Sequence, residues 1–409
     1  MARTQRVVLD DGLSWTVVGA DALPVEPAEQ YLAFLRAQGR SPNTVKAYAR
    51  GLAQWWTLLE ATSTPWDQIP ASLFGQFLVY LRTGDLPGVD RIGPAPQLLV
   101  PASVASRSAS VLAFYTYMAA AEKVTQPFDV LYGAGSAQRR ARSRYRGLLT
   151  GIAEDTRPRP LYRVRPIGRE RTPVLTPPQV RTILDGCAVE ESTGAWRPNL
   201  PGLRDRLLFA MLAETGMRLG EALSLRHCDI HVAGGDTPWV DVVSRQDHPH
   251  GVRSKSGRQR RIYVGDDLAG LYAAYVWELV EAGVDVDVPD LPNHFVFVNV
   301  AGQPLFAPMR VESVYARVRS LTRHHRDLPA GWSPHWLRHT HATALLLSGR
   351  PPHVVMRRLG HLDIQTTLNL YGWVTEDAQM RTVANWTSYV DSWRSLYDVP
   401  DRHAEAGAT

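Results

Sequence analysis

Apolar positions early in the chain recur at helical spacing. In PAEQYLAFLRAQG, Tyr31, Leu32, Phe34 and Leu35 line one face of a helix that Gly39 ends. Ser41 stands where an N-cap belongs, with Pro42 at the first helical position, and Val45, Tyr48, Leu52, Trp55 and Leu58 carry an apolar stripe onward to Glu60. ASLFGQFLVYLRTG from Ala71 and PASVASRSASVLAFYTYMAAAE from Pro101 continue the pattern. These stretches predict a small helical domain over residues 25–132, preceded by a tail over residues 1–24.

Gly133, Gly135 and the arginine-rich run after them predict a linker over residues 133–171, interrupted by an apolar turn from Leu148 to Ile152. A second domain, residues 172–400, opens with LTPPQVRTILDGC, where Thr176 caps a helix and Pro177 sits in its first turn. Helical stretches over Leu203 to Glu214 and Leu219 to Leu225 come next. Between Trp239 and Val264 the pattern changes to short β-rich pieces, WVDVVS and RRIYV, separated by polar and Gly residues, which predicts a small antiparallel sheet. Helical spacing returns from Val311 and reaches a last helix near Glu376 to Ser395, with a tail over residues 401–409. The expected fold is mainly α with two domains, one helical and one mixed α+β. A length of 409 residues agrees with more than one core.

Composition narrows the compartment and the partner. Cys187 and Cys228 are the only cysteines and lie far apart, which predicts a reducing cytoplasm rather than a disulfide framework. The opening MARTQRVVLDDG has no apolar core of a secretion signal, and no window approaches the roughly 18 apolar residues of a membrane helix, so no membrane partner is expected. The net charge of +5 is modest but unevenly placed. QRRARSRYR, with Arg139, Arg140 and Arg142, is followed by Arg157, Arg159, Arg163, Arg165, Arg169 and Arg171 against Glu154, Asp155 and Glu170. Such a run suits a phosphate backbone, from which each bound cation releases counterions, and it equally suits a solvated linker. Lysine occurs only at positions 46, 123 and 255, which draws attention to each of the three.

Five polar positions or pairs in the second domain have little structural use where they stand. TGMRLGEALSL places Arg218 at a helix start, with Glu221 one turn on to orient its guanidinium. RSKSGRQRRIYV holds Lys255 at the tip between two short strands, followed by the turn formers Ser256 and Gly257. HWLRHTHATALLLSG sets His335 and Arg338 on one helix face, an arrangement suited to an anion. LGHLDIQTTLNLYGWV contributes His361 after a glycine turn and Tyr371 ten residues later. Each has an ordinary reading alone: surface ion pair, solubilising tip, core tyrosine. Zinc at His335, His339 and His341 is disfavoured, because neither a cysteine nor a fixed carboxylate lies close by and Arg338 repels a cation. No metal is expected.

In order, this series resembles the catalytic set of the tyrosine recombinase (phage integrase) family, whose first Arg, His-x-x-Arg and second His motifs match TGMRLGEALSL, HWLRH and LGH. SPNTVKAYARGL resembles the start of the family's core-binding, SAM-like domain, in which Ser41, Thr44 and Lys46 are carried over as DNA contacts. Gly372 and Trp373 depart from the family, which often has Thr or Ser and then His after the tyrosine. The resemblance implies a site-specific recombinase or integrase for a mobile element. Tyr371 attacks a phosphodiester to form a 3′-phosphotyrosyl link, Arg218 and Arg338 clamp the phosphate, and His361 donates to it. The phenol is helped to lose its proton either by the arginine field or by a base such as His335, and Lys255 resembles the family's general acid. The resemblance further implies no cofactor, double-stranded DNA recombination sites as partner, a tetramer on two duplexes, accessory DNA-bending or directionality proteins, and a nucleoid-associated place in the cytoplasm. A relaxing topoisomerase and a DNA-binding protein without catalysis are the competing readings. The SPNTVKAYARGL stretch argues against the first, and the six filled positions against the second.

Overall fold

The computed structural model describes residues 1–9, 12–89, 98–122, 124–133, 160–162, 164, 172–197, 199–232, 237–245, 247–252 and 259–361. The chain divides into two compact units, Met1–Glu170 and Arg171–Thr409.

In the first unit, strands β1 (Arg3–Leu9) and β2 (Gly12–Val18) pair antiparallel, from Arg3 opposite Val18 to Leu9 opposite Gly12. Helices α1 (Glu26–Ala37), α2 (Pro42–Ala61), α3 (Ala71–Thr83), α4 (Pro101–Ala121) and α5 (Gln126–Tyr132) follow. The hairpin corrects the expectation of a tail over residues 1–24. Its strands are rich in Val, Thr and Trp, which suit a pleated surface. β2 packs on α2 and buries Val17 and Val18, so the segment is held by the helical core. That core centres on Trp55, whose indole Nε1 donates to Tyr115 Oη at 3.0 Å, while Tyr115 donates to Trp66 O at 2.8 Å. A buried aromatic with a polar atom needs such a partner, and here one chain of bonds serves two rings. The expected linker is partly drawn in: Tyr162 packs its ring on Phe74 and donates to Ala71 O at 3.0 Å.

The second unit starts with α6 (Pro177–Asp185), whose Thr176 and Gln179 form a reciprocal capping box. A short hairpin of β3 (Val189–Glu190) and β4 (Trp196–Arg197) leads to α7 (Leu200–Thr215). Leu203, Leu207, Met211 and Leu212 on one side of α7 and Phe209 and Ala213 on the other are all buried, and the helix accordingly lies in the core, packed on later helices. Gly216 ends α7 in the left-handed conformation, and α8 (Leu219–Leu223) begins three residues later. β5 (Ile230–His231), β6 (Trp239–Val242) and β7 (Arg260–Tyr263) form the antiparallel sheet, with Val240 opposite Ile262 and Val242 opposite Arg260. The remaining helices are α9 (Asp266–Glu281), α10 (Val284–Asp287), α11 (Val311–His324), α12 (Pro334–Leu347) and α13 (Pro352–Leu359). The architecture is mainly helical with small antiparallel sheets. Among the described residues no helix is long and apolar enough to cross a membrane. Cys187 and Cys228 are both unpaired.

Candidate active site

The turn after α7 places Arg218 as the N-cap of α8. Its backbone N–H donates to Glu221 Oε2 at 2.9 Å and its guanidinium Nη1 to Glu221 Oε1 at 3.0 Å. Glu221 is 2% exposed, so this carboxylate is a fixed, desolvated anchor for the arginine rather than half of a surface pair.

Arg338 sits one turn into α12 and is also 2% exposed. Nη1 donates to Gly216 O at 2.7 Å and Nη2 to Leu359 O at 2.8 Å. One guanidinium therefore joins the end of α7, two residues before Arg218, to the end of α13, two residues before His361. His335, three residues earlier on α12, is exposed, and its ring stands edge-on to His339 with centroids 4.3 Å apart.

His361 follows the left-handed Gly360 and is 7% exposed. Burial, then the fields of Arg338, Arg218 and Arg260 and of His335, push its pKa down to about 4. The ring is thus neutral at pH 7, able to donate one hydrogen bond without adding charge. Burial and the neighbouring His335, Arg338 and His361 push His339 down to about 3. Three arginines and two further histidines converge here; among the described residues no three His, Cys, Asp or Glu side chains are grouped to hold an ion.

Behind these groups lies a buried clamp that sequence reasoning missed. His341 is wholly buried, and burial followed by the field of Arg358 drives its pKa well below the ordinary value. A neutral ring protonated on Nδ1 donates to Ala213 O at 3.1 Å and accepts at Nε2 from Arg358 Nε at 3.0 Å. Arg358 Nη2 also donates to Glu214 O and Tyr263 O, tying α7, β7, α12 and α13 together. Gly216 is where this clamp meets the Arg218 turn: its φ is +64°, and a Cβ there would lie 2.5 Å from His341 Cδ2. Gly216→Ala is expected to destabilise the chain by about 2–4 kcal/mol, from left-handed strain plus overpacking. A fall in the urea midpoint at unchanged m-value is the measurement.

Arg260 is the other residue that sequence spacing left unremarked. It lies on β7 on the same strand face as the buried Ile262, and a cation on the buried face of a strand requires a partner, which is the signal that could have found it. Its Nη2 donates to Glu221 Oε2 at 2.6 Å and its Nε to Arg358 O at 2.8 Å.

In the first unit, Ser41 Oγ accepts from Thr44 N–H at 3.2 Å as the cap of α2, and the two hydroxyls lie 3.0 Å apart. Lys46 Nζ lies 4.0 Å above the Trp15 ring of β2. Lys255, Tyr371, Arg139, Arg140 and Arg142 lie outside the described residues.

Residues 173–377 match the model of the phage integrase family, and residues 28–122 that of the phage integrase N-terminal SAM-like domain. Transposase A from transposon Tn554 of Staphylococcus aureus is 26% identical over 351 residues, 85% of this chain and 87% of the relative. Tyrosine recombinase XerC of Methylobacterium sp. is 28% identical over 344 residues, 84% and 87% of the two chains. The fold is shared with the XerH recombinase in its post-cleavage complex with palindromic difH substrate, at TM-score 0.54 and 17% identity, covering 85% of this chain and 81% of that one. The Tn1549 transposon integrase with a circular intermediate DNA gives TM-score 0.52 at 18% identity, covering 84% and 93%. With its family model matched across the unit that gathers Arg218, Arg338 and His361, and the SAM-like model across the helical unit before it, the chain belongs to the phage integrase family.

Proposed function

We propose that this family member, a site-specific recombinase, integrates or excises a mobile element by transesterification at Tyr371, with Arg218 and Arg338 as phosphate clamps. The observation that carries the reading is the convergence of Arg218, Arg338 and His361 through the Gly216 and Leu359 carbonyls. A phosphodiester repels an incoming nucleophile, and charge grows on its non-bridging oxygens during attack. Two anchored guanidinium forks meet both problems, because donors held in place before reaction cost no reorganisation when charge develops. The neutral His361 adds a donor to the same oxygens.

The Tyr371 phenol has an ordinary pKa of about 10 and loses its proton to a base, for which the exposed His335 is the candidate. Its oxygen bonds to phosphorus, the bond from phosphorus to the 5′ oxygen breaks, and Lys255 supplies the proton that the leaving oxygen takes. The products are a 3′-phosphotyrosyl link and a free 5′ hydroxyl. A 5′ hydroxyl of the second DNA reverses the step and returns the tyrosine. The bond energy is kept in the phosphotyrosine, so the reaction runs without ATP or metal. Strand exchange takes two duplexes and a tetramer of the chain, with accessory DNA-bending or directionality proteins, beside the nucleoid in the cytoplasm. The recombination site is double-stranded DNA read by the two domains, with Ser41, Thr44, Lys46, Arg139, Arg140 and Arg142 as backbone contacts.

The test uses nicked duplexes that the chain itself selects from a randomised pool. A protein–DNA adduct stable in detergent is expected with wild type, insensitive to a chelator and absent in Tyr371→Phe. Tight binding without an adduct on a selected duplex overturns catalysis in favour of a binding protein.

A further inference from the structure

We propose that Arg260 is a positioning residue of this active site, holding Arg218 through Glu221 and holding the turn that presents His361; the proposal rests on the site reading above. The Glu221 carboxylate has about four acceptor positions when ionised. Oε1 takes Arg218 Nη1 at 3.0 Å and Arg260 Nη1 at 3.3 Å, while Oε2 takes the Arg218 backbone N–H at 2.9 Å and Arg260 Nη2 at 2.6 Å. Each oxygen thus receives one bond from each arginine. Arg260 closes one side of a carboxylate whose other side aims Arg218, and neither oxygen can rotate without losing a bond to both.

The second arm of Arg260 reaches the His361 turn. Its Nε donates to Arg358 O at 2.8 Å, and its guanidinium fills the space that a Gly360 side chain would occupy. A Cβ at Gly360 would come within 2.9 Å of Nη1 and 3.1 Å of Cζ, so this close approach depends on the glycine as much as on the arginine. Arg260 therefore couples β7, α8 and the end of α13 at one point. Its side chain is 9% exposed and that of Glu221 0%, so the pair is screened from water and keeps its geometry. With two guanidiniums on one carboxylate, the Arg260 fork and Arg218 Nη1, the three groups carry a net positive charge toward a phosphate, whereas Glu221 with Arg218 alone would be neutral.

The experiment compares Arg260→Met, Arg260→Lys and Arg218→Ala in the full chain, reading single-turnover cleavage and affinity on the same selected nicked duplex, melting temperature, and the proton titration of His361 by NMR. Arg260→Met is expected to cleave roughly a hundredfold more slowly, as misplacement of a clamp costs, with affinity changed less than about threefold. Arg260→Lys, which keeps one charged bond to Glu221 but loses the fork, should recover roughly tenfold of that loss. The His361 titration should move upward in Arg260→Met, since one of the cations that disfavours its protonation is gone. Folded Arg260 variants that cleave at the wild-type rate while Arg218→Ala does not cleave overturn the positioning role and leave the site reading intact. A slowdown matched by equal loss of affinity or of folded protein, with His361 unmoved, also overturns it. Cleavage by Arg218→Ala at the wild-type rate overturns the site reading and this proposal with it.

Discussion

Arg338→Lys is expected to lower single-turnover cleavage by roughly 10²–10³-fold, the usual effect of removing one preorganised oxyanion donor, while DNA affinity changes only a few-fold. Lysine keeps the charge but offers a single point donor on a flexible stem, and the Arg338 fork is used at both ends, on Gly216 O and Leu359 O. A lysine ammonium can satisfy one carbonyl and leaves the other buried acceptor without that donor. Arg338→Ala should add a stability loss of about 1–3 kcal/mol for each carbonyl stripped of its donor, read as a lower urea midpoint. Because the two carbonyls lie next to the Arg218 and His361 turns, the alanine variant should also broaden NMR signals from both turns. Cleavage within a few-fold of wild type for a folded Arg338→Lys would remove this residue from the clamp.

Acidification from pH 7 to pH 5 should destabilise the second unit and spare the first. His227, His248 and His361 are pushed down to about 4 and His339 to about 3, in every case by burial first, and His341 is driven well below its ordinary value. A group whose folded pKa is depressed contributes stability that is complete above its unfolded value of about 6.5 and is lost as pH falls toward the folded value. For His339 the loss between pH 7 and pH 5 is about 2 kcal/mol, and the other four act in the same direction. Glu214 opposes them. Burial raises it to about 7, so its contribution is complete below the ordinary value of 4.5 and lost as pH rises through 7, which offsets one histidine and not five. All 13 histidines lie beyond residue 226, so this window should leave the first unit unmoved. Urea unfolding at pH 7 and pH 5 should give a transition of the second unit that moves by several kcal/mol and one of the first that stays within about 1 kcal/mol. Equal movement of both units would show that the buried histidines are not the cause.

Much of the architecture was legible in local periodicity. The stripe from Val45 to Leu58 and the cap at Ser41 foretold α2, Thr176 and Pro177 foretold the start of α6, and the β-rich pieces WVDVVS and RRIYV foretold an antiparallel sheet, which β6 and β7 form. Spacing over three or four residues sets which side chains share a face, and capping groups act within one turn, so such features require no knowledge of the rest of the chain. The polar residues named for chemistry were found the same way, as side chains without a structural use where they stood. The N-terminal hairpin was not legible, because a two-stranded ribbon is marginal alone and becomes stable only against the α2 surface that buries Val17 and Val18.

What only the tertiary structure decided is how those residues are held. Arg338 shares a helix with His335, yet packing of α7 and α13 against α12 makes the first a buried brace and leaves the second exposed. Glu221 looked like a partner for Arg218 alone, and the sheet brings Arg260, 39 positions away, onto the same carboxylate. His341 looked like one member of a histidine run, and burial beside Arg358 turns it into a neutral acceptor at the back of the site. The chain by itself determined which elements form and which groups carry charge. Desolvation and long-range packing determined which charges are anchored, and an anchored charge is what the transfer of a phosphate requires.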